Sequence, residues 1–118
     1  MNISLLVQSN PIPSSTQLLA LQFAQQAITQ GHSLHRIFFY KEGALVGNKY
    51  SASPEDETNI QAKWGVFAQE TGAELAICIA AAQRRGIIGS KNVAEGFTIV
   101  GLGQMVEAML ESERTVTF

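Results

Sequence analysis

The stretch ELAICIAAAQRRG, residues 74–86, holds the only cysteine of the 118-residue chain. Cys78 closes a short apolar run, and an alanine-rich segment ending in Arg84, Arg85 and Gly86 follows at once. Two chemistries suit a free thiol there. It can be packed as a small hydrophobe, as free cysteines often are. If the run is a strand and the alanines a helix, it can instead lie at a helix N-terminus, where unpaired N–H groups favour the thiolate. Arg85, seven residues on, lies about 10 Å along such a helix. The two arginines are therefore expected to orient or attract an acidic partner rather than touch the sulfur. Cys78 and Arg84 also have the Cys-x5-Arg spacing of cysteine-dependent phosphatases. That chemistry needs the five intervening residues to curl into an N–H cradle. Ile79 to Gln83 contain no glycine and three alanines, which favour helix instead. A thioredoxin-type exchange needs a second cysteine, which the chain lacks. A lone activated thiol suits sulfur carriage, in which exchange between proteins requires one cysteine from each.

Other polar signals are weaker. SNPIPSST, residues 9–16, precedes a helix and offers Ser14, Ser15 or Thr16 as caps. GLG at 101–103 is a fragment of a dinucleotide fingerprint, and a tight strand-to-helix turn explains it better. His32 and His35 lack metal-ligand spacing to each other or to a carboxylate. They read as helix-end surface and strand edge.

The elements that must position Cys78 follow from apolar runs and their punctuation. Ile3 to Val7 predicts a buried strand ended by Asn-Pro. A helix follows from about Gln17 to Gln30, burying Leu18, Leu21, Ala24 and Ile28 with Leu19 and Phe23 beside them, and Gly31 stops it. SLHRIFFY, residues 33–40, is a second strand centred on Ile37, Phe38 and Phe39. Ser53 is expected to cap a helix with Pro54 in its first position and Glu55, Asp56 and Glu57 complementing its dipole. Ile60, Trp64 and Phe67 form that helix's inner face, and Gly72 ends it. ELAICI is the third strand, Ile79 to Arg85 a short helix and FTIV the fourth strand. Leu102, Met105, Val106, Met109 and Leu110 make the most regular helical stripe in the chain, and TVTF closes as a fifth strand. Strands alternating with helices, over connections too long for hairpins, predict a parallel sheet covered on both faces.

Composition bounds the rest. The chain is 46% hydrophobic and 15% charged, ordinary for a globular protein of one domain, residues 1–118. Eight basic against ten acidic residues give a formal charge of -2, which offers no electrostatic case for direct nucleic-acid binding. No apolar segment approaches the ~20 residues of a membrane span. No leader-like segment opens the chain, so a cytoplasmic location is expected.

Four blocks together, FFYKEG (38–43), ICIAAAQRRGI (77–87), GFTIVGLGQMVEAML (96–110) and ERTVTF (113–118), closely resemble the DsrE/TusD family of sulfur-relay subunits. The resemblance runs almost the whole chain in the same order. It implies a three-layer α/β/α domain with a mostly parallel five-stranded sheet. It also implies sulfurtransferase activity, with Cys78 as the residue that carries sulfane sulfur as a persulfide. The implied partners are an upstream persulfide donor, a small downstream acceptor with its own cysteine, and paralogous subunits in a dimer of heterotrimers. No cofactor, metal, nucleic acid or membrane is implied. In one branch of the family the sulfur ends in tRNA wobble 2-thiouridine; in the other it belongs to dissimilatory sulfur oxidation. A non-catalytic assembly subunit with a buried Cys78 is the alternative from a different class. Only nine residues, Ile87 to Glu95, separate Gly86 from Gly96, where related proteins commonly carry a longer segment. Ile87, Ile88 and Val93 make that connection unusually apolar, which suggests a covered surface and an obligate oligomer.

Overall fold

Five short strands form one sheet in a computed structural model that describes residues 1–51 and 53–118. The strands are β1 (Asn2–Val7), β2 (Ser33–Phe39), β3 (Leu75–Cys78), β4 (Phe97–Val100) and β5 (Arg114–Thr117). Their order across the sheet is β4-β3-β2-β1-β5, and every pairing is parallel. The helices are α1 (Ser15–Thr29), α2 (Ile60–Thr71), α3 (Ile79–Gln83) and α4 (Gly103–Glu111), with a 3-10 helix over Lys41–Gly47 after β2.

Topology follows from handedness. The chain steps β1 to β2 to β3 in one direction, and right-handed crossovers place α1 and α2 on the same face. Phe39 packs edge-on against Trp64 of α2 at 5.3 Å and against Phe97 at 5.6 Å, which fixes Ile37 and Phe39 on that face. The return from β4 to β5 runs the other way and carries α4 across the opposite face. There Arg36, of opposite parity to Phe39, reaches the Gln104 carbonyl and Glu107 of α4. A register shift between Ile3 and Ser4 lets His35 turn to the same side and meet Glu107 at 3.1 Å. His35 is thus not a plain edge residue.

Three expectations need correction. The helix placed after Ser53 begins only at Ile60. Asn59 caps it, its side chain accepting from the Ala62 N–H at 3.1 Å, while residues 54–57 form a turn. Proline-54 and its acidic neighbours are favourable for a helix start, but Asn59 stands immediately before the apolar face Ile60, Trp64 and Phe67, all buried. Helix α1 buries Gln17, Ala20, Leu21, Ala24 and Ala27, while Leu19, Phe23 and Ile28 stay exposed. Its small side chains let it lie close to the sheet, and Ser14 at its N-cap makes no side-chain capping bond. Most of the regular stripe of α4 also faces away from the sheet: Leu102, Val106, Met109 and Leu110 are exposed, while Met105 packs against the core and Ala108 is buried.

Candidate active site

Cys78 ends β3 and is the N-cap of α3, with extended backbone at φ -61° and ψ 125°. The expected strand-to-helix junction is therefore present, and the first N–H groups of α3 lack intrahelical partners. The residue is only 2% exposed, so in the single chain the thiol is packed into the core. Ile79 to Gln83 are helical and form no cradle, which removes the phosphatase-like arrangement between Cys78 and Arg84.

Register defines the surroundings of the sulfur. Cys78 pairs with Val100 of β4, and Ala76 pairs with Phe38 of β2. Phe38, Ala76 and Cys78 thus share the α4 side of the sheet. Phe39 pairs with Ile77, so extending the register one residue sets Tyr40 opposite Cys78. Tyr40 remains extended, and its N–H donates to the Val7 carbonyl at 2.9 Å. Its ring lies 6.4 Å from that of Phe38, confirming the same face. Neighbouring strands are about 4.8 Å apart, so Tyr40 and Val100 flank the cysteine. Lys41 then adopts φ 52°, the one non-glycine residue with a left-handed backbone among the described residues. Its ammonium sits 5.9 Å from the centre of the Tyr40 ring.

The two arginines after α3 have different environments. Arg85 folds back over the end of the helix, donating to the Ala81 carbonyl at 3.0 Å and pairing with Glu42 at 3.2 Å. The other oxygen of Glu42 accepts from Asn10 at 3.4 Å, so one carboxylate links the loop after β1, the 3-10 helix and α3. Arg84 is exposed and has no ion pair among the described residues. The charge of Arg85 is thus engaged by Glu42, while that of Arg84 faces solvent.

Among the buried polar side chains, Gln17 and Asn92 hold the loops at this end of the sheet. Gln17 is fully buried. Its amide nitrogen donates to the Ser9 carbonyl at 2.9 Å, and its oxygen accepts from the Trp64 indole at 3.2 Å. It lies at i, i+4 and i+7 with Leu21 and Ala24, so helical spacing could have flagged it. Asn92, also buried, bonds the Gly86 carbonyl, the Ile88 N–H and the Asn48 side chain. It staples the short segment after α3 to the end of the 3-10 helix. Nothing local in the sequence announces that contact. No group of three His, Cys, Asp or Glu among the described residues could hold a metal ion.

The model of the DsrE/DsrF-like family matches residues 1–118. Sulfurtransferase TusD of Photorhabdus laumondii is 43% identical over 109 residues, covering 84% of this chain and 83% of that protein. Sulfurtransferase TusD of Enterobacter is 34% identical over 128 residues and covers all of both chains. Among solved structures, the ychN protein of E. coli superposes with a TM-score of 0.86 at 20% identity, covering 100% of this chain and 99% of that one. MTH1491 of Methanobacterium thermoautotrophicum gives 0.73 at 16% identity, over 99% and 97%. These two likenesses concern the fold.

Proposed function

The chain belongs to the DsrE/DsrF-like family and is a sulfurtransferase, and from that premise we propose that Cys78 carries the transferred sulfur as a persulfide. The observation that carries the reading is the position of the only thiol, at the N-cap of α3 where a strand ends. The Cys78 thiolate attacks the outer sulfur of a donor persulfide. The bond between the two donor sulfurs breaks, the donor leaves as a thiolate, and Cys78 becomes Cys–S–SH. The acceptor's thiolate then attacks that outer sulfur and Cys78 leaves as a thiolate. Each step exchanges one S–S bond for another, so no external oxidant or reductant is required.

Partners follow from the surface. The α4 stripe of Leu102, Val106, Met109 and Leu110, each at least 47% exposed, supports association with other subunits; the dimer of heterotrimers with paralogues is what the family resemblance implies. Arg84, exposed as are Ile79 and Ile88 of the same stretch of chain, suits docking of a small acceptor protein. The acceptor's sulfur is assigned to tRNA wobble 2-thiouridine synthesis in the cytoplasm. Relatives named sulfurtransferase TusD, at 43% and 34% identity, support that reading, beside a putative sulfurtransferase DsrE at 33%.

Burial of Cys78 favours one rival reading, a non-catalytic assembly subunit with an inert core thiol. Intact mass after incubation with a cysteine desulfurase and cysteine separates the two. Carriage adds one sulfur to the wild type and none to Cys78→Ser. An unchanged wild-type mass, with Cys78 alkylated only after denaturation, supports the assembly subunit.

A further inference from the structure

Basic residues are unevenly spread along the chain. Segments 41–50 and 84–91 hold Lys41, Lys49, Arg84, Arg85 and Lys91, five of the eight basic residues, against a single acidic one, Glu42. Their local charge is +4 in a chain of formal charge -2, which leaves three basic and nine acidic residues elsewhere, or -6. A surface of one sign on a molecule of the other steers and selects partners by charge.

Hydrogen bonds knit the two segments into one surface. Arg85 at the end of α3 reaches Glu42 at 3.2 Å. The Lys49 N–H donates to the Asn92 carbonyl at 2.9 Å. The Asn92 side chain donates to the Asn48 side chain and the Gly86 carbonyl, and accepts from the Ile88 N–H. Because Asn92 is buried, it fixes Lys49 relative to the stretch from Arg84 to Lys91. Lys49, Arg84 and Lys91 are exposed and have no ion pair among the described residues, while Glu42 is taken by Arg85. Ile88 and Tyr50, 49% and 71% exposed, set apolar surface among these cations. Apolar contacts within a charged rim are the make-up of a protein interface. A surface held by its own hydrogen bonds also loses little freedom when a partner binds.

We infer that the surface of Lys49, Arg84, Lys91 and Ile88 docks an acidic face of the protein that takes sulfur from Cys78. The partner's role as acceptor rests on the carriage reading; the chemistry of docking rests on the charge pattern. The surface lies at the end of α3 away from Cys78, a helix of five residues, or about 7.5 Å. A protein fits it better than a nucleic acid. Ile88 and Tyr50 offer apolar contact, and the negative remainder of the chain repels an extended polyanion but not a local acidic patch.

The test is fluorescence anisotropy with three labelled probes: a short glutamate-rich peptide, the same peptide with glutamine for each glutamate, and a single-stranded RNA of equal charge. Wild type is compared with Arg84→Gln plus Lys91→Gln, and with Lys63→Gln plus Arg114→Gln, which removes the same charge elsewhere. Thermal unfolding confirms the fold of each. Wild type should bind the glutamate peptide more tightly than either other probe. Loss of Arg84 and Lys91 should weaken that binding about fivefold or more, loss of Lys63 and Arg114 less than about twofold, and salt should close the gap. Equal losses in the two double variants would reduce the effect to net charge and overturn the inference. Equal binding of the two peptides would do the same, and tighter binding of the RNA through Arg84 and Lys91 would reassign the surface to nucleic acid. Carriage is scored apart from this, by intact mass after sulfur loading. A protein that never loads yet binds the glutamate peptide through Arg84 and Lys91 disproves carriage and leaves the acidic docking surface standing. One that loads but binds both peptides alike keeps carriage and loses the surface.

Discussion

At the scale of single residues, a buried amide ties the end of β1 to the neighbouring helix. Gln17 joins the loop after β1 to α2 through Ser9 and Trp64. Replacing it with leucine keeps the volume but strands the Trp64 indole N–H. Gln17→Leu should therefore lower stability by about 1–3 kcal/mol in urea unfolding, the cost of an unsatisfied buried donor. A loss near zero would mean that the indole finds another acceptor. Arg84 and Arg85 make a second residue-scale comparison. Arg84→Gln should slow transfer to the protein acceptor while loading from a small persulfide donor changes little, and salt should shrink the difference. Arg85→Gln releases Glu42 and loosens α3, so its effect should appear in small-donor loading as well. Identical behaviour of the two variants would contradict their different environments.

At the scale of elements, the 3-10 helix after β2 and α4 behave differently. The 3-10 helix is wedged by glycines: Gly43 against Val7, and Gly47, where a Cβ would meet the Ile77 side chain. Gly43→Ala forces backbone apart and should cost roughly 1–3 kcal/mol, as overpacking does, measured by thermal or urea unfolding. Helix α4 is tied to the sheet by a charged cluster, Arg36 with Glu74 and Glu107, and by Ala108, while its apolar stripe looks outward. Val106→Lys with Leu110→Lys should leave the unfolding midpoint of the separate chain almost unchanged, within about 0.5 kcal/mol for exposed sites. The same pair should reduce the assembled mass in co-expression with paralogues, read by light scattering. Full assembly would move the interface elsewhere.

At the scale of the whole molecule, α4 is the lone helix of its face, so the charged cluster makes stability depend on acid. The hydrogen bond from Arg36 holds the Glu107 carboxyl below its ordinary value of 4.5. A carboxylate depressed in the folded state adds stability that is present above its unfolded value and lost as pH falls through the folded one. Wild type should thus exceed Glu107→Gln at neutral pH, and the two urea midpoints should converge below about pH 4.5. Midpoints that stay parallel into acid would show that the pair adds nothing to folding. The exposed apolar stripe of α4 is the surface on which the proposed assembly with other subunits would rest.

The order of elements was legible in the sequence because it depends on local chemistry. Apolar runs of strand length, Gly31 and Gly72 after helices, and the strand-helix alternation are each encoded within a few residues, and together they require a parallel sheet. The position of Cys78 at a strand-to-helix junction was legible for the same reason. The inner face of α1, the outward stripe of α4 and the burial of Gln17 and Arg36 were not. Periodicity shows that a helix has an apolar face, but the crossover direction and the bulk of what it meets decide which face is covered. On α4 the buried partner of the sheet is Ala108 and a salt-linked Glu107, so the larger apolar side chains are displaced outward. The surroundings of the sulfur are likewise tertiary. Tyr40 lies nearly forty residues before Cys78 in the chain, and only the pairing of β2 with β3 brings it opposite the cysteine.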